Sequence, residues 1–444
     1  SNLRTSPVTV WIKMSLTPNS RHNLPTFEQL SNGLGGGSLA VLESLRRRAT
    51  EDRLPCYLVG GPVRDLLLGV PLRDLDVSIE IDATVEGDAT ALAAVLAEEL
   101  GAKLTIHRRF GTATLTLSGE HVDLVTARKE VYPRPGALPK VSPGTIIDDL
   151  ARRDFSVNAI ALPLSAARYG VVDPHGGADD LERRIIRTLH SASFVDDPTR
   201  MMRAVRYERR LGFSLEDSSL DDLRGALASG AMATVSGDRW RRELDRILDE
   251  PRPIDALVRA IELGILAGIH PGLTRSDPIK RIAASPHAGP DRFFAGLVYP
   301  LSQVEGEEVI RRLKLPRQRA KLVRDTISLR ENESELKNTV SIPSKLVASL
   351  DSVDPEAVGA VAILTDAPRV RQGLDRYIAE FRTVSPRLTG EDLLAMGVIQ
   401  GPEIGELLAR LLDARLDRLV ETVDDEREMA RDWIFRRQVV SQTT

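Results

Sequence analysis

The amino-acid sequence predicts an α+β protein, with a head built on a small mixed sheet and a long all-helical continuation. Three observations carry this. Short strand patterns cluster at 56–60, 74–80, 103–107, 111–117 and 121–126. Two amphipathic helical patterns, 39–51 and 86–101, lie among them. After about residue 175 the strand patterns stop, and the rest reads as amphipathic helices of ordinary length broken by Pro and Gly.

Taken in order, residues 1–37 form an irregular N-terminal extension ending in the run Gly35-Gly36-Gly37. No methionine precedes Met14, and the segment is set aside from the fold. The helix 39–51 carries Leu39, Val41, Leu42 and Leu45 on one stripe. Cys56-Tyr57-Leu58-Val59 is apolar and β-prone, Gly60-Gly61 breaks it, and a helix starts near Pro62 or Val63. Arg73-Asp74-Leu75-Asp76-Val77-Ser78-Ile79 alternates polar and apolar residues, as a half-buried strand does. The helix 86–101 carries Leu92, Val95, Leu96 and Leu100, and His121–Thr126 is a further strand. Between Lys129 and Gly144, four prolines and two glycines predict a long loop, either a lid or a passive surface excursion. No fixed-period repeat makes the helical part a solenoid.

Composition sets outer limits. A chain of 444 residues is too long for one small domain, and 42% apolar residues suffice for sizeable cores. A net charge of −4 argues weakly against nucleic-acid binding, because local distribution outweighs the sum; Arg far outnumbers Lys, which suits phosphate recognition or equally reflects genomic base composition. The single Cys56 excludes an internal disulfide and a cysteine-rich zinc site, and fits a reducing, cytoplasmic setting. No run of eighteen apolar residues exists, so no membrane partner is expected.

Chemistry concentrates in two segments. Gly60-Gly61 lets backbone N–H groups approach phosphate oxygens with no Cβ in the way, and the helix start behind it adds partial positive charge. Arg64 can supply a bidentate phosphate contact; the alternative is a plain strand-to-helix turn with a surface arginine. On the following strand, Asp74 and Asp76 share a face with α-carbons about 7 Å apart. Two carboxylates so close are costly unless a cation lies between them, a solvated edge strand being the other reading. Asp123 is a third carboxylate candidate or an ordinary exposed position. Together these residues point to phosphoryl, here nucleotidyl, transfer with divalent ions.

Further motifs follow in a fixed order. They are Arg152-Arg153-Asp154-Phe155-Ser156-Val157-Asn158-Ala159, Asp173-Pro174-His175-Gly176-Gly177 with Asp180-Leu181 and Ile186-Arg187, Asp196-Asp197-Pro198-Thr199-Arg200, and the run from Ser236 to Leu248. With Gly60–Asp65 and Asp74–Asp76, they resemble the class II tRNA nucleotidyltransferase and bacterial poly(A) polymerase family. The resemblance covers about 50–250 by motif and the remainder more loosely. It implies a polymerase-β-like nucleotidyltransferase head (38–172), a neck reading the nucleotide base (173–250), a helical body (251–340) and a tRNA-binding tail (341–444).

The resemblance further implies that Asp74 and Asp76 hold Mg2+, with Asp123 as third carboxylate. The substrates would be CTP and ATP, joined without a template to a tRNA 3′ acceptor end as CCA with release of pyrophosphate. Gly60, Gly61, Arg64, Arg152, Arg153, Asp154 and Asn158 would bind triphosphate and ribose, the paired arginines also suiting phosphate on their own chemistry. A buried structural network is the competing reading of that segment. Asp197 reads locally as an N-cap ahead of Pro198. The family instead implies that Asp197 accepts from an exocyclic amino group and Arg200 donates to the adjacent ring atom. Such a pair suits cytosine and adenine and opposes uracil and guanine. Asp196 stands where many relatives carry Glu.

Arg200, Arg203, Arg206 and Arg210 fall at helical spacing, and further basic clusters occur at 239–246 and 311–324; each is a phosphate track for RNA or a solvated, acid-paired face. Thr389–Gly397 and Gly401–Gly405 resemble the family's tail and otherwise read as helix, turn and helix. The histidines form no metal cluster, and His175 reads as structural. Enzymes of the family that add only A, only CC, or poly(A) share these motifs, although the full 129–147 loop weighs against a CC-only enzyme. A non-catalytic RNA-binding module is the alternative from another class. Oligomeric state is not legible.

Overall fold

The computed structural model describes residues 31, 34–70, 81–85, 88–107, 111–164 and 170–441. It divides into two compact units between Val235 and Ser236. The expected strand 74–80, with Asp74 and Asp76, lies outside the described residues.

In the first unit the strands are β1 (Cys56–Val59), β2 (Ile81–Val85), β3 (Lys103–His107), β4 (Thr112–Leu117), β5 (Glu120–Thr126), β6 (Arg128–Val131), β7 (Lys140–Pro143) and β8 (Ala161–Pro163). Six of them form one mixed sheet in the order β3-β4-β5-β2-β1-β8. β2 and β5 run parallel, with Asp82 opposite Asp123, and the other neighbours are antiparallel. The helices α1 (Gly36–Glu51), α2 (Gly61–Leu67) and α3 (Ala89–Leu100) follow the predicted pattern closely. α1 and α3 pack on β4 and β5, burying Ala113, Leu115, Val122 and Leu124. Each such Leu or Val contributes roughly 1.5–3 kcal/mol. Thr114, His121 and Asp123 alternate onto the opposite face. That alternation places a carboxylate away from the core.

Three expectations are corrected. Gly35-Gly36-Gly37 does not end an irregular segment, because α1 begins at Gly36. A Cβ on Gly37 would stand 2.3 Å from the Leu117 carbonyl oxygen, and Ser38 N–H donates to Glu120 Oε2 at 2.6 Å. These glycines admit the β4–β5 turn against the helix start.

The 129–147 loop is largely a β-hairpin, with β6 paired to β7 from Arg128 opposite Pro143 to Val131 opposite Lys140. Pro133, Pro135 and Pro139 fall in its tip and Pro143 at the end of its strand, where no central ladder donor is lost. Finally, strands recur after residue 175. β9 (Ile185–Ile186) and β10 (Ser214–Leu215) form a parallel pair too short to leave an alternating pattern in sequence.

The first unit is completed by α4 (Ile146–Ala151), a 3-10 turn at Ser156–Asn158, α5 (Gly177–Arg183), α6 (Ser193–Asp196), α7 (Arg200–Leu211) and α8 (Asp217–Ala228). Every regular element among the described residues of the second unit is a helix, joined by turns. Many of its helices open on proline, as at Pro253, Pro290, Pro343, Pro355, Pro368 and Pro402. The missing N–H there would have lacked an intrahelical partner anyway. Near the C-terminus, Thr389 caps Gly390–Ala395 in a capping box, and Pro402–Leu416 follows as the expected second helix. Leu388, Leu393, Val398, Leu407, Leu411 and Ala430 form its core. Glu426, fully buried, accepts from the Leu388 N–H at 2.9 Å and from Arg415 Nη1 at 2.7 Å.

Candidate active site

β1 ends at Val59, and Gly60 turns the chain into α2 with φ of +81°, a left-handed conformation that side chains oppose. A Cβ there would also stand 2.8 Å from Arg153 Nη1, so Arg153 leans over the turn and Gly60 leaves it room. On α2, Arg64 is 4% exposed. Its Nε donates to Asp65 Oδ1 at 2.8 Å and its Nη1 to Asn158 Oδ1 at 2.8 Å. The alternative reading of a surface arginine therefore does not hold: Arg64 is buried and held by two side chains.

From Asn158 the network continues. Asn158 Nδ2 donates to Asp154 Oδ1 at 3.0 Å, and the Phe155 N–H donates to the same oxygen at 2.9 Å. Arg203 Nε and Nη2 both reach Asp154 Oδ2, at 2.8 and 2.6 Å. Burial opposes the charge on Asp154, but the Arg203 charge, the hydrogen bonds from Asn158 and Arg203, and the more distant Arg200 outweigh it. The carboxyl is held down at about 2. Arg152 and Arg153 are oriented from below by Asp149 of α4, which is fully buried: Arg152 Nη2 meets Oδ1 at 2.6 Å and Arg153 Nη2 meets Oδ2 at 3.1 Å.

α7 supplies the remaining arginines. Arg200 is buried, with Nη1 donating to Ser193 Oγ and Nη2 to the Arg152 carbonyl, both at 2.7 Å. Asp197 is not the N-cap that its place before Pro198 suggests. Its Oδ1 accepts from the Thr199 N–H at 3.1 Å and the Thr199 hydroxyl at 2.6 Å. The helix proper starts at Arg200, because Arg200 N–H to Asp197 O and Met201 N–H to Pro198 O close three-residue turns. Arg203 and Arg206 lie farther along, one and two turns beyond Arg200.

The hairpin reaches this region. The Gly136 N–H donates to the Asp196 carbonyl at 3.0 Å. Burial raises the Tyr132 phenol to about 12; Arg200 pulls the other way, and Glu130 and Asp197 add to the rise. Tyr132 is thus within electrostatic reach of the Asp197–Arg200 pair.

Asp123 lies on the open face of β5, with Oδ1 accepting from the Thr114 hydroxyl. Its hard carboxylate oxygens suit Mg2+. Among the described residues no group of three His, Cys, Asp or Glu side chains gathers to hold a metal, and Asp74 and Asp76 are outside them.

The structure therefore brings together Gly60, Gly61, Arg64, Arg152, Arg153, Asp154, Asn158, Arg200 and Arg203, with Arg206 beside them on α7. Sequence reasoning missed Asp149 and Tyr207. Asp149 was readable as an acid three and four residues before Arg152 and Arg153.

Elsewhere, Asp173 accepts from the Gly177 and Ala178 N–H groups at 2.7 and 2.9 Å, and the His175 carbonyl accepts from Arg187, so this motif caps α5. In the second unit the basic runs are largely acid-paired: Arg241 with Asp238, Arg246 with Glu243, Lys314 with Asp238, Arg319 with Asp291 and Arg324 with Glu307. No helix among the described residues is long and apolar enough to cross a membrane.

Comparison with known proteins bears on this geometry. The signature of the poly A polymerase head domain matches residues 56–187. The chain is 33% identical over 434 residues to an A-adding tRNA nucleotidyltransferase of Geobacter sulfurreducens, covering 88% of this chain but 47% of that protein, so it spans about half that relative's length. An A-adding tRNA nucleotidyltransferase of Halalkalibacterium halodurans is 31% identical over 436 residues, with 94% and 98% covered. A CC-adding tRNA nucleotidyltransferase of Deinococcus radiodurans is 32% identical over 413 residues, with 92% and 97% covered. The solved Thermotoga maritima CCA-adding enzyme complexed with tRNA_CCA superposes with a TM-score of 0.72 at 28% identity, covering 92% of this chain and 98% of that one.

Proposed function

The chain belongs to the class II tRNA nucleotidyltransferase and bacterial poly(A) polymerase family, and from that premise we propose that it adds CCA to the 3′ end of tRNA from CTP and ATP, without a nucleic-acid template. One observation carries the reading. A continuous run of side-chain hydrogen bonds leads from Arg64, behind the Gly60 turn, through Asn158 and Asp154 to Arg203, on the helix that Arg200 opens. In this reading a triphosphate-binding turn is tied by hydrogen bonds to the helix whose start carries the base-reading pair. The relatives' names support the reaction class.

In this reading Arg64, Arg152 and Arg153 bind the triphosphate. Asp149 and Asp154 hold these arginines and Arg203 in place, so little reorganisation is needed when the nucleotide arrives. Asp74, Asp76 and Asp123 would hold Mg2+. When bound, the ion supplies Lewis-acid stabilisation of the charge that develops on the transferring phosphoryl group and on the departing pyrophosphate. The Asp197 carboxylate accepts from the amino group of C or A, and Arg200 donates beside it. A uracil or guanine would set acceptor against acceptor, at a cost of about 1–3 kcal/mol.

Asp197→Ala should consequently lose discrimination against UTP and GTP by about tenfold or more, with a smaller effect on triphosphate binding. Single-nucleotide incorporation of each triphosphate measures this; an unchanged nucleotide preference would remove Asp197 from base reading.

The function itself is tested with purified protein, Mg2+ and tRNAs lacking CCA, ending in C, or ending in CC, each with CTP, ATP or both. Three additions to the first followed by a stop support complete CCA synthesis. A second reading, an A-adding enzyme, is favoured by the nearly end-to-end similarity to the Halalkalibacterium protein. It requires action with ATP on the CC-ending tRNA alone. An unbounded A ladder would mark a poly(A) polymerase, and RNA binding without incorporation a non-catalytic module.

A further inference from the structure

Three arginines of the candidate site surround one aromatic ring. The guanidinium carbons of Arg64, Arg203 and Arg206 stand 5.4, 5.5 and 4.9 Å from the centroid of Tyr207. The ring is itself fixed. Phe155, fully buried, meets it edge-on at 5.9 Å and 79°, and Arg203 Nη2 donates to the Tyr207 hydroxyl at 3.3 Å.

Such an assembly is unfavourable without compensation, because three like charges converge in a partly desolvated place. Carboxylates answer part of it, Asp65 beside Arg64 and Asp154 beside Arg203. The negative face of an aromatic ring attracts a guanidinium with no carboxylate added, so it can hold cations without neutralising them. A further acid would satisfy the arginines and also cancel the field that an anionic ligand needs. An aromatic ring avoids that conflict.

We propose that Tyr207 is a positioning residue whose ring gathers Arg64, Arg203 and Arg206 into one cationic cradle for the triphosphate of the incoming nucleotide; this rests on the nucleotidyl-transfer reading above. Tyr207 touches no phosphate. It acts through the three guanidiniums, and Phe155, next to Asp154 in the chain, locks the ring to the carboxylate that holds Arg203. The hydroxyl is the minor part, because it meets the cluster through a long hydrogen bond from Arg203 Nη2.

The test measures KM and kcat for ATP and CTP on a tRNA acceptor, with the full chain and variants at position 207. Tyr207→Leu should raise KM about tenfold, with kcat changed by less than about threefold. Tyr207→Phe, which keeps the ring, should raise KM by less than about threefold. Phenylalanines carrying one, two and three ring fluorines should raise KM stepwise, because fluorination drains the ring face while leaving its shape nearly unchanged.

A flat fluorine series, or a Leu variant with parental KM, overturns the proposal. Should Tyr207→Leu fail to fold, the isosteric fluorine series decides alone. If the parent chain incorporates no nucleotide, the functional reading has failed. Equilibrium binding then still reads the cradle: affinity must fall with fluorination for ATP and stay level for AMP, and equal losses for the two would overturn it.

Discussion

Asp154→Ala is expected to destabilise the first unit by about 3 kcal/mol or more, the usual result of removing one partner from a buried ion pair. The substitution leaves Arg203 without its carboxylate, removes the acceptor for Asn158 Nδ2 and for the Phe155 N–H, and thereby loosens Arg64 two links away. Hydrogen exchange over 56–70 and 200–211 reports it directly, because both segments should lose protection together. If only 200–211 loosens, the run of hydrogen bonds is not one mechanical unit.

The same carboxyl gives a pH dependence of definite sign. Its folded-state pKa, about 2, lies below the ordinary 3.8. The ionised form therefore contributes stability in full above the ordinary value, and that contribution is lost as pH falls from about 4 towards 2. The shift corresponds to roughly 2 kcal/mol. Acid unfolding of the parent over this window should be steeper than that of Asp154→Ala.

Asp74→Ala is expected to reduce nucleotide incorporation by about a thousandfold or more, since Lewis-acid stabilisation of phosphoryl transfer supplies several kcal/mol and each 1.4 kcal/mol is tenfold. Triphosphate binding should suffer less, because Arg64, Arg152 and Arg153, its proposed ligands, remain. The comparison is with Asp123→Ala under identical Mg2+. Asp123 has the Thr114 hydroxyl as a protein partner, so its loss should be smaller. Incorporation by Asp74→Ala within tenfold of the parent would sink the metal assignment.

What was legible in the sequence divides along a physical line. Periodicity exposes elements with one wet face, so β4, β5, α1 and α3 could be read directly. It fails where close approach or local pairing decides. Gly35–Gly37 looks like a flexible run until Leu117 and Glu120 are seen against it. The β6–β7 hairpin is hidden by prolines that turn out to sit at its tip and strand end. In the site, charged motifs were readable because their spacing is unusual, but which cation meets which anion was not. Arg64 pairs across 94 positions with Asn158, and Arg203 across 49 with Asp154. Tyr207 carries no charge and left no signal beyond its place between arginines.

Those long separations also bear on the order in which a growing chain can become competent. Arg64 leaves the ribosome more than a hundred residues ahead of Tyr207, so the early part of the site must wait, several buried cations unanswered, until α7 has been made and has docked. Closing such long loops is slow, and their reward arrives only at the end. A triphosphate that binds the finished arrangement and not its precursors would draw the chain towards completion by mass action. On the proposed function, a nucleoside triphosphate would then double as a folding aid for the site that consumes it.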